Sequence, residues 1–159
     1  MQPEGHHLAE LNIARLIAPT DDPRVADFMN NLDRVNGLGA RMPGFVWLMG
    51  SATGGNTDHK IGGDPLMIPN LSVWENYTSL KTFVYDTLHK QFMARRAEWF
   101  EVASQEYFVM WWVPIGHQPT MEEALQRLDM LREHGANENA FDWDYLKEMQ
   151  ANRSVLTED

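Results

Sequence analysis

The sequence predicts a single domain of the α+β class, built on an antiparallel sheet and spanning residues 1–159 with a core at about 8–145. Two observations carry this prediction. Segments with strand and helix character follow one another in the order strand, helix, strand, strand, helix, strand, with further helix at the end. The last of the four strands, residues 106–116, is apolar on both faces, so structure must cover both sides of the sheet.

The other three strands lie in the first half of the chain. Apolar content and length indicate strands at residues 8–18, 45–50 and 66–74. Because Pro69 has no N–H to donate to a ladder, we expect the well-paired part of the third strand to begin at Asn70. Residues 51–65, rich in Gly, Asp and Asn, form a long loop between the second and third strands.

A helix is predicted between the first two strands. Asp21 or Asp22 can cap it, and its first turn takes Pro23. Apolar residues then recur at helical spacing until Gly37 and Gly39, which are typical of a helix end.

Two helical segments are predicted in the second half. Residues 76–101 form one long helix, and residues 119–135 form a helix with a signal at each end. Thr120 and Glu123 have capping-box spacing, and Gly135 is the stop. The tail contains AFDWDYLKEM, which we interpret as a short, partly helical docking segment.

This order of elements is the split βαβ, or ferredoxin-like, arrangement, in which helices cover only one face of the sheet. The fourth strand nevertheless has two apolar faces, with Phe108, Met110 and Trp112 on one and Tyr107, Val109, Trp111 and Val113 on the other. A second copy of the chain would cover the free face and close two sheets into a dimeric α/β barrel. We therefore expect a homodimer.

Composition excludes several classes of function. A formal net charge of −10 argues against a nucleic-acid partner, and no run of about 20 apolar residues exists to span a membrane. The chain has no cysteine and no secretory signal at its start, which favours a cytoplasmic location. Six Trp, seven Phe and four Tyr indicate a bulky core with room for an aromatic-lined cavity, so a small molecule is the expected partner.

The long helix raises a question about its arginines. At about 100° per residue, one sector gathers the apolar residues Leu80, Val84, Leu88, Phe92 and Trp99. Arg95 falls within that sector, where a buried guanidinium must be paired. Its partner is either an internal carboxylate, such as Glu98 or Glu75, or the carboxylate of a ligand.

His89 lies at the edge of the same sector, beside Tyr85 and Arg96. One interpretation makes it a hydrogen-bonded boundary histidine, with Arg96 extending to solvent. The other places it at a cavity, where a neutral imidazole can move a proton or ligate iron. Asn12 and Asn70 interrupt apolar strands, and their amides either pair across the sheet or line a pocket.

Several motifs resemble a bacterial family of unknown function, DUF3291: NIARL, NLSVWE, HKQFMARRAEWF and WWVPIGHQPTMEEALQRL, in that order, over about residues 8–145. The resemblance implies the dimeric α/β-barrel superfamily. Its members include antibiotic-biosynthesis monooxygenases, which use no metal or cofactor, and haem proteins such as chlorite dismutases. The positions that match the family's motifs are Trp74, His89, Arg95, Arg96, Trp99, Trp111 and Trp112.

The residues and the resemblance together predict a small-molecule oxidoreductase of the monooxygenase kind, acting on a hydrophobic or aromatic substrate with no cofactor or with haem. His89 is the expected catalytic residue, and it ligates a metal only if haem binds. The expected ligand-binding residues are Asn12, Trp74, Tyr85, Arg95, Arg96 and Trp112. The alternative is a non-catalytic protein that binds a hydrophobic ligand or haem.

Overall fold

The computed structural model describes residues 2–50 and 61–156, with side chains as far as residue 152. Within these residues the strands are β1 (His6–Arg15), β2 (Phe45–Leu48), β3 (Met67–Trp74) and β4 (Phe108–Pro114). The helices are α1 (Ala26–Gly39), α2 (Tyr77–Asp86), α3 (Leu88–Ala94), α4 (Met121–His134) and α5 (Trp143–Leu156). Most of the predicted 51–65 loop, residues 51–60, lies outside the described residues.

The four strands form one open sheet in the order β2-β3-β1-β4, and all neighbouring strands are antiparallel. The α+β prediction is therefore confirmed. β1 is central, and its register places Glu10 opposite Ser72 and Asn12 opposite Asn70. No helix among the described residues is both long enough and apolar enough to cross a membrane.

The predicted start of β3 at Asn70 is wrong, because the strand already begins at Met67 and includes Pro69. Pro69 lies opposite Ile13, and the N–H of Ile13 donates to Tyr107 on the other side of β1, at 2.9 Å. This alternation directs the Pro69 nitrogen away from β1. The missing N–H therefore removes nothing from the β1–β3 ladder.

Helix ends that the sequence marks with caps form as predicted. The Asp22 side chain caps a short 3-10 turn, Pro23–Val25, that leads into α1. The Thr120 hydroxyl accepts from the N–H of Glu123 at the start of α4, and Gly135 follows its end with φ of 73°. The C-terminal segment is more helical than expected, since α5 runs for 14 residues.

The predicted 76–101 helix is broken at Thr87. The backbone of Thr87 is extended, with φ of −122° and ψ of −174°, so α2 ends at Asp86 and α3 begins in a new direction. The Thr87 hydroxyl accepts from the N–H of His89 at 3.2 Å, which caps α3. A short 3-10 turn, Arg96–Glu98, ends the segment. A single helical phase therefore does not extend across residues 76–101.

α4 covers the sheet face that bears Trp111. Ala9, Leu11 and Trp111 of the sheet form one buried cluster with Ala124 and Leu128 of α4. The indole of Trp111 is fully buried, and its Nε1 donates to the Glu123 carboxylate at 3.0 Å. The chain's own helix thus covers apolar residues that a second copy was expected to cover, and the homodimer stays a prediction.

The opposite face of the sheet supports α1, α2, α3 and α5. One buried cluster joins Leu8, Trp74 and Met110 of the sheet to Leu80 and Leu146 of the helices. A second cluster lies towards the end of β1. It consists of Ala14, Leu16, Ala18, Val25, Ile68, Trp99 and Phe100. Residues from both clusters border the cavity described next.

Candidate functional site

A cavity of about 270 Å³ lies between this second face and the helices. Aromatic residues are the largest group in its walls and include Phe28, Phe83, Phe92, Trp99, Phe108 and Trp143. A small set of polar side chains also borders it: Glu10, Asn12, Asn31, Asn36, Asn70, His89 and Arg96. An apolar pocket with a few convergent polar groups is the usual form of a small-molecule site.

His89 lines the cavity from the first turn of α3. Its Nδ1 lies 3.3 Å from the carbonyl oxygen of Val84, and because a carbonyl only accepts, Nδ1 carries the proton. Nε2 then holds a free lone pair. Burial lowers the pKa of His89, against the raising effect of the Val84 hydrogen bond, so the ring is neutral near pH 7. The imidazole is thus a proton acceptor at the cavity wall.

Glu10 is a buried carboxyl in the middle of β1, 4% exposed. The Ser72 hydroxyl donates to its Oε1 at 2.5 Å, and the Trp74 indole donates to Ser72 Oγ at 2.9 Å. Burial raises the pKa of Glu10 to about 8, although the Ser72 hydrogen bond lowers it. Below that pH the side chain is mostly a neutral acid that can donate a hydrogen bond.

Glu10 is the functional candidate that sequence reasoning missed. The signal was a carboxylate two residues before Asn12 in an apolar strand, so that both residues share one face of the sheet. Asn12 and Asn70 are direct cross-strand neighbours, and both border the cavity. Within the described part of the chain, neither amide makes a side-chain hydrogen bond to protein. Their polar atoms are therefore open to a ligand.

The two adjacent arginines have different surroundings. Arg96 lines the cavity, and its guanidinium stacks 4.4 Å from the ring of Tyr107 and 5.3 Å from that of Phe100. No carboxylate of the described residues lies within ion-pair distance of it. Arg95 is a surface residue instead, and its Nη2 lies 2.8 Å from both Asp27 and Glu98. Of the partners considered for Arg95, Glu98 is the one that the structure shows.

The remaining predicted ligand-binding residues divide in the same way. Tyr85 borders the cavity. Trp74 is 2% exposed and lies behind the lining residues, where it stacks on Phe83 and donates to Ser72. Trp112 packs against Phe141 and borders a separate depression. The structure thus brings Asn12, Tyr85, His89 and Arg96 to one cavity, and leaves Trp74, Arg95 and Trp112 outside it.

The cavity offers one candidate axial ligand for haem but is small for a porphyrin. His89 could supply one axial nitrogen, with its Nδ1–H held by a carbonyl as axial histidines often are. A porphyrin, however, is at least drug-sized, and drug-sized ligands occupy pockets of roughly 300–1,000 Å³. The cavity of about 270 Å³ is smaller than that range. Among the described residues, no three His, Asp or Glu side chains gather to hold a metal ion.

Fold and site together define an α+β protein with a cavity, lined by aromatic and polar side chains, between its sheet and helices. The chain belongs to the family described as Domain of unknown function (DUF3291), whose model matches residues 7–157. No curated protein matches the chain.

One solved structure is similar to the chain, the crystal structure of NE2512, a protein of unknown function from Nitrosomonas europaea. The two are 11% identical in sequence, and the match covers 74% of this chain and 97% of that chain with a TM-score of 0.46. A similarity at that level carries no argument about fold or function.

Proposed function

We propose that the protein binds a small aromatic molecule in the cavity and transfers protons to and from it. The observation that supports this function is the pairing of a neutral imidazole with a buried carboxylic acid in one aromatic-walled space. Their environments shift the two pKa values in opposite directions, which is the pattern of an acid and a base with separate roles.

Each group has a distinct role in this proposal. His89 Nε2 takes a proton from the substrate, since Nδ1 is already engaged with Val84. Glu10, neutral near pH 7, donates a hydrogen bond to the substrate oxygen on which negative charge then develops. Asn12 and Asn70 supply further hydrogen bonds from the sheet.

We extend the proposal to an oxidoreductase of the monooxygenase kind that needs no cofactor. The oxidant is dioxygen and the electrons come from the substrate itself. A CH₂ group made acidic by a neighbouring carbonyl loses a proton to His89, reacts with dioxygen and becomes C=O, while the second oxygen atom leaves as water. The resemblance to cofactor-free monooxygenases suggests this version, and the acid–base pair supports its first step.

We also propose that the sheet and helices have the ferredoxin-like arrangement. The strand order β4-β1-β3-β2, with every neighbour antiparallel, supports a ferredoxin-like arrangement. The dimeric barrel stays a prediction, and it now rests on the superfamily alone, because α4 covers the face that motivated it.

Oxygen uptake tests the catalytic part of the proposal. Aromatic ketones and phenols that raise the Tm of the protein would be assayed for dioxygen consumption with the wild-type chain and with His89→Ala. We expect the substitution to lower turnover by about 10²–10⁴-fold, because it removes the base. The matched control is His117→Ala, since His117 lies far along the chain and contacts Glu123 at 2.7 Å instead of lining the cavity.

A non-catalytic binder is the second candidate. It is favoured by the mainly apolar walls, and by the fact that Arg95 is engaged with Asp27 and Glu98 and is not free to hold a substrate. Ligands that bind without any oxygen uptake or proton exchange, with the same result in His89→Ala, would establish this alternative and exclude the enzyme.

A further inference from the structure

We infer that the ligand is an elongated aromatic carboxylate, with its carboxylate at Arg96 and a hydroxyl or carbonyl oxygen at Glu10. The inference rests on the proposed function, because it names the class of molecule that this cavity takes. It also orients that molecule, and so distinguishes the cavity from a general hydrophobic pocket.

The Glu10 end and the Arg96 end of the cavity lie at different positions along β1. Arg96 stacks on Phe100 and Tyr107. Phe100 pairs with Leu16 through an isolated bridge, and Tyr107 accepts the N–H of Ile13, so this end of the cavity lies at the end of β1. Ala14, which also borders the cavity, lies four positions after Glu10 along the strand, a rise of about 13 Å. Side chains shorten this span, and an extended molecule suits it better than a compact one.

The charges of the two ends differ. Arg96 is a cation whose guanidinium has no carboxylate partner among the described residues, and a guanidinium binds a carboxylate through two parallel hydrogen bonds. At the other end, a ligand carboxylate would meet the carboxyl of Glu10 and the apolar residues that bury it. A neutral oxygen is suited to that end, because Glu10 can donate to it. This difference in charge orients the ligand, with its carboxylate at Arg96 and its neutral oxygen at Glu10.

The walls between the ends are aromatic. Phe83 and Phe92 line one side from α2 and α3, and Phe108 lines the sheet side. Flat rings packed against such walls gain buried apolar area and favourable stacking geometry. A planar conjugated molecule therefore fits the middle of the cavity.

Calorimetric titration with three related probes tests the inference. The probes are para-hydroxycinnamate, which has both polar ends, cinnamate, which lacks the hydroxyl, and para-vinylphenol, which lacks the carboxylate. We expect Arg96→Met to raise the Kd for para-hydroxycinnamate by about 10- to 100-fold, because it removes a charge-assisted pair. The Kd for para-vinylphenol should stay the same, and cinnamate should bind wild type more weakly than para-hydroxycinnamate does.

Arg95→Met is the matched control, since Arg95 is adjacent in sequence but lies outside the cavity. Arg96→Lys keeps the charge without the fork and should weaken binding less than Arg96→Met, which separates recognition from a folding defect. Equal losses in the Arg95 and Arg96 variants, or equal affinity of wild type for para-hydroxycinnamate and para-vinylphenol, would overturn the inference. In both cases aromatic binding, and so the proposed function, would stand. Failure of all three probes to bind wild type would count against both.

Discussion

Glu10 is the residue that most distinguishes this cavity from an ordinary gap in a core. A carboxyl that is 4% exposed is costly to ionise, and among the described residues only the Ser72 hydroxyl supports its charge. Burying such a group lowers the stability of the folded chain. That cost makes a functional role the simplest account of Glu10, and it also makes the residue measurable.

The stability of the folded chain should therefore depend on pH through Glu10. Its pKa is about 8 when folded and 4.5 ordinarily, so between these values the folded chain holds a proton that the unfolded chain releases. The free energy of unfolding then falls as pH rises, by about 1.4 kcal/mol per pH unit, and this contribution is constant below and above that window. Glu10→Gln keeps the shape and the Ser72 hydrogen bond but removes the titration.

Urea denaturation of both proteins at about pH 5.5 and about pH 7.5 measures this effect. We expect the free energy of unfolding of the wild type to fall by about 2–3 kcal/mol, relative to that of Glu10→Gln, between the lower and the higher pH. Burial lowers the pKa of His89, so the contribution of His89 to the free energy of unfolding decreases as pH falls below the ordinary pKa of histidine. This contribution is the same in both proteins and cancels in the comparison. If the free energies of unfolding of the wild type and Glu10→Gln have the same pH dependence, Glu10 has its ordinary pKa in the folded chain.

Sequence reasoning found some of the site residues and missed others for physical reasons. Asn12 was recognisable as a polar residue in an apolar strand, and His89 as a polar residue beside an apolar sector. Glu10 has the same signature as Asn12 but was not singled out. Arg95 and Arg96 could not be separated by sequence, because their placement depends on the turn that follows α3.

The break between α2 and α3 is the decisive feature at the level of elements. Apolar residues continue at helical spacing on both sides of Thr87, so periodicity alone predicts one helix. The Thr87 side chain changes this by bonding locally, since its hydroxyl accepts from His89 N–H and donates to the carbonyl oxygen of Phe83 at 2.5 Å. Caps with a clear residue signature, as at Thr120 and Gly135, were predicted correctly.

Thr87 should accordingly stabilise the start of α3. Thr87→Ala removes the cap and the bond to Phe83, and we expect it to lower the free energy of unfolding by about 1 kcal/mol. Thr87→Ser keeps the hydroxyl and should change stability by less than about half of that. Urea denaturation of the three proteins decides the matter, and equal losses in the Ala and Ser variants would mean that the hydroxyl does not maintain the break.

The whole molecule differs from the prediction in how the sheet is covered. The two apolar faces of β4 were visible in the sequence, and each is covered, although Phe108 and Trp112 are only half-buried. The sequence does not show which structure buries these faces. The apolar stripe of α4 is compatible with a helix on the outside of the protein as well as with a helix packed on the sheet. In the folded chain Ala124, Leu128 and Leu131 pack on the face of Trp111. An uncovered apolar surface predicts a partner subunit only when no later segment of the same chain can reach that surface.

The prediction that concerns the whole molecule is the homodimer. A barrel closed by two sheets requires the sheet face that α4 covers, so a barrel dimer implies a different position for α4. Any other stable dimer would bury at least about 1,000 Å² of a different surface. From the superfamily we expect light scattering behind size exclusion to give the mass of two chains at micromolar concentration. The mass of one chain would exclude the barrel. The cavity would be unaffected by that result, because Glu10, His89 and Arg96 all reach it from a single chain.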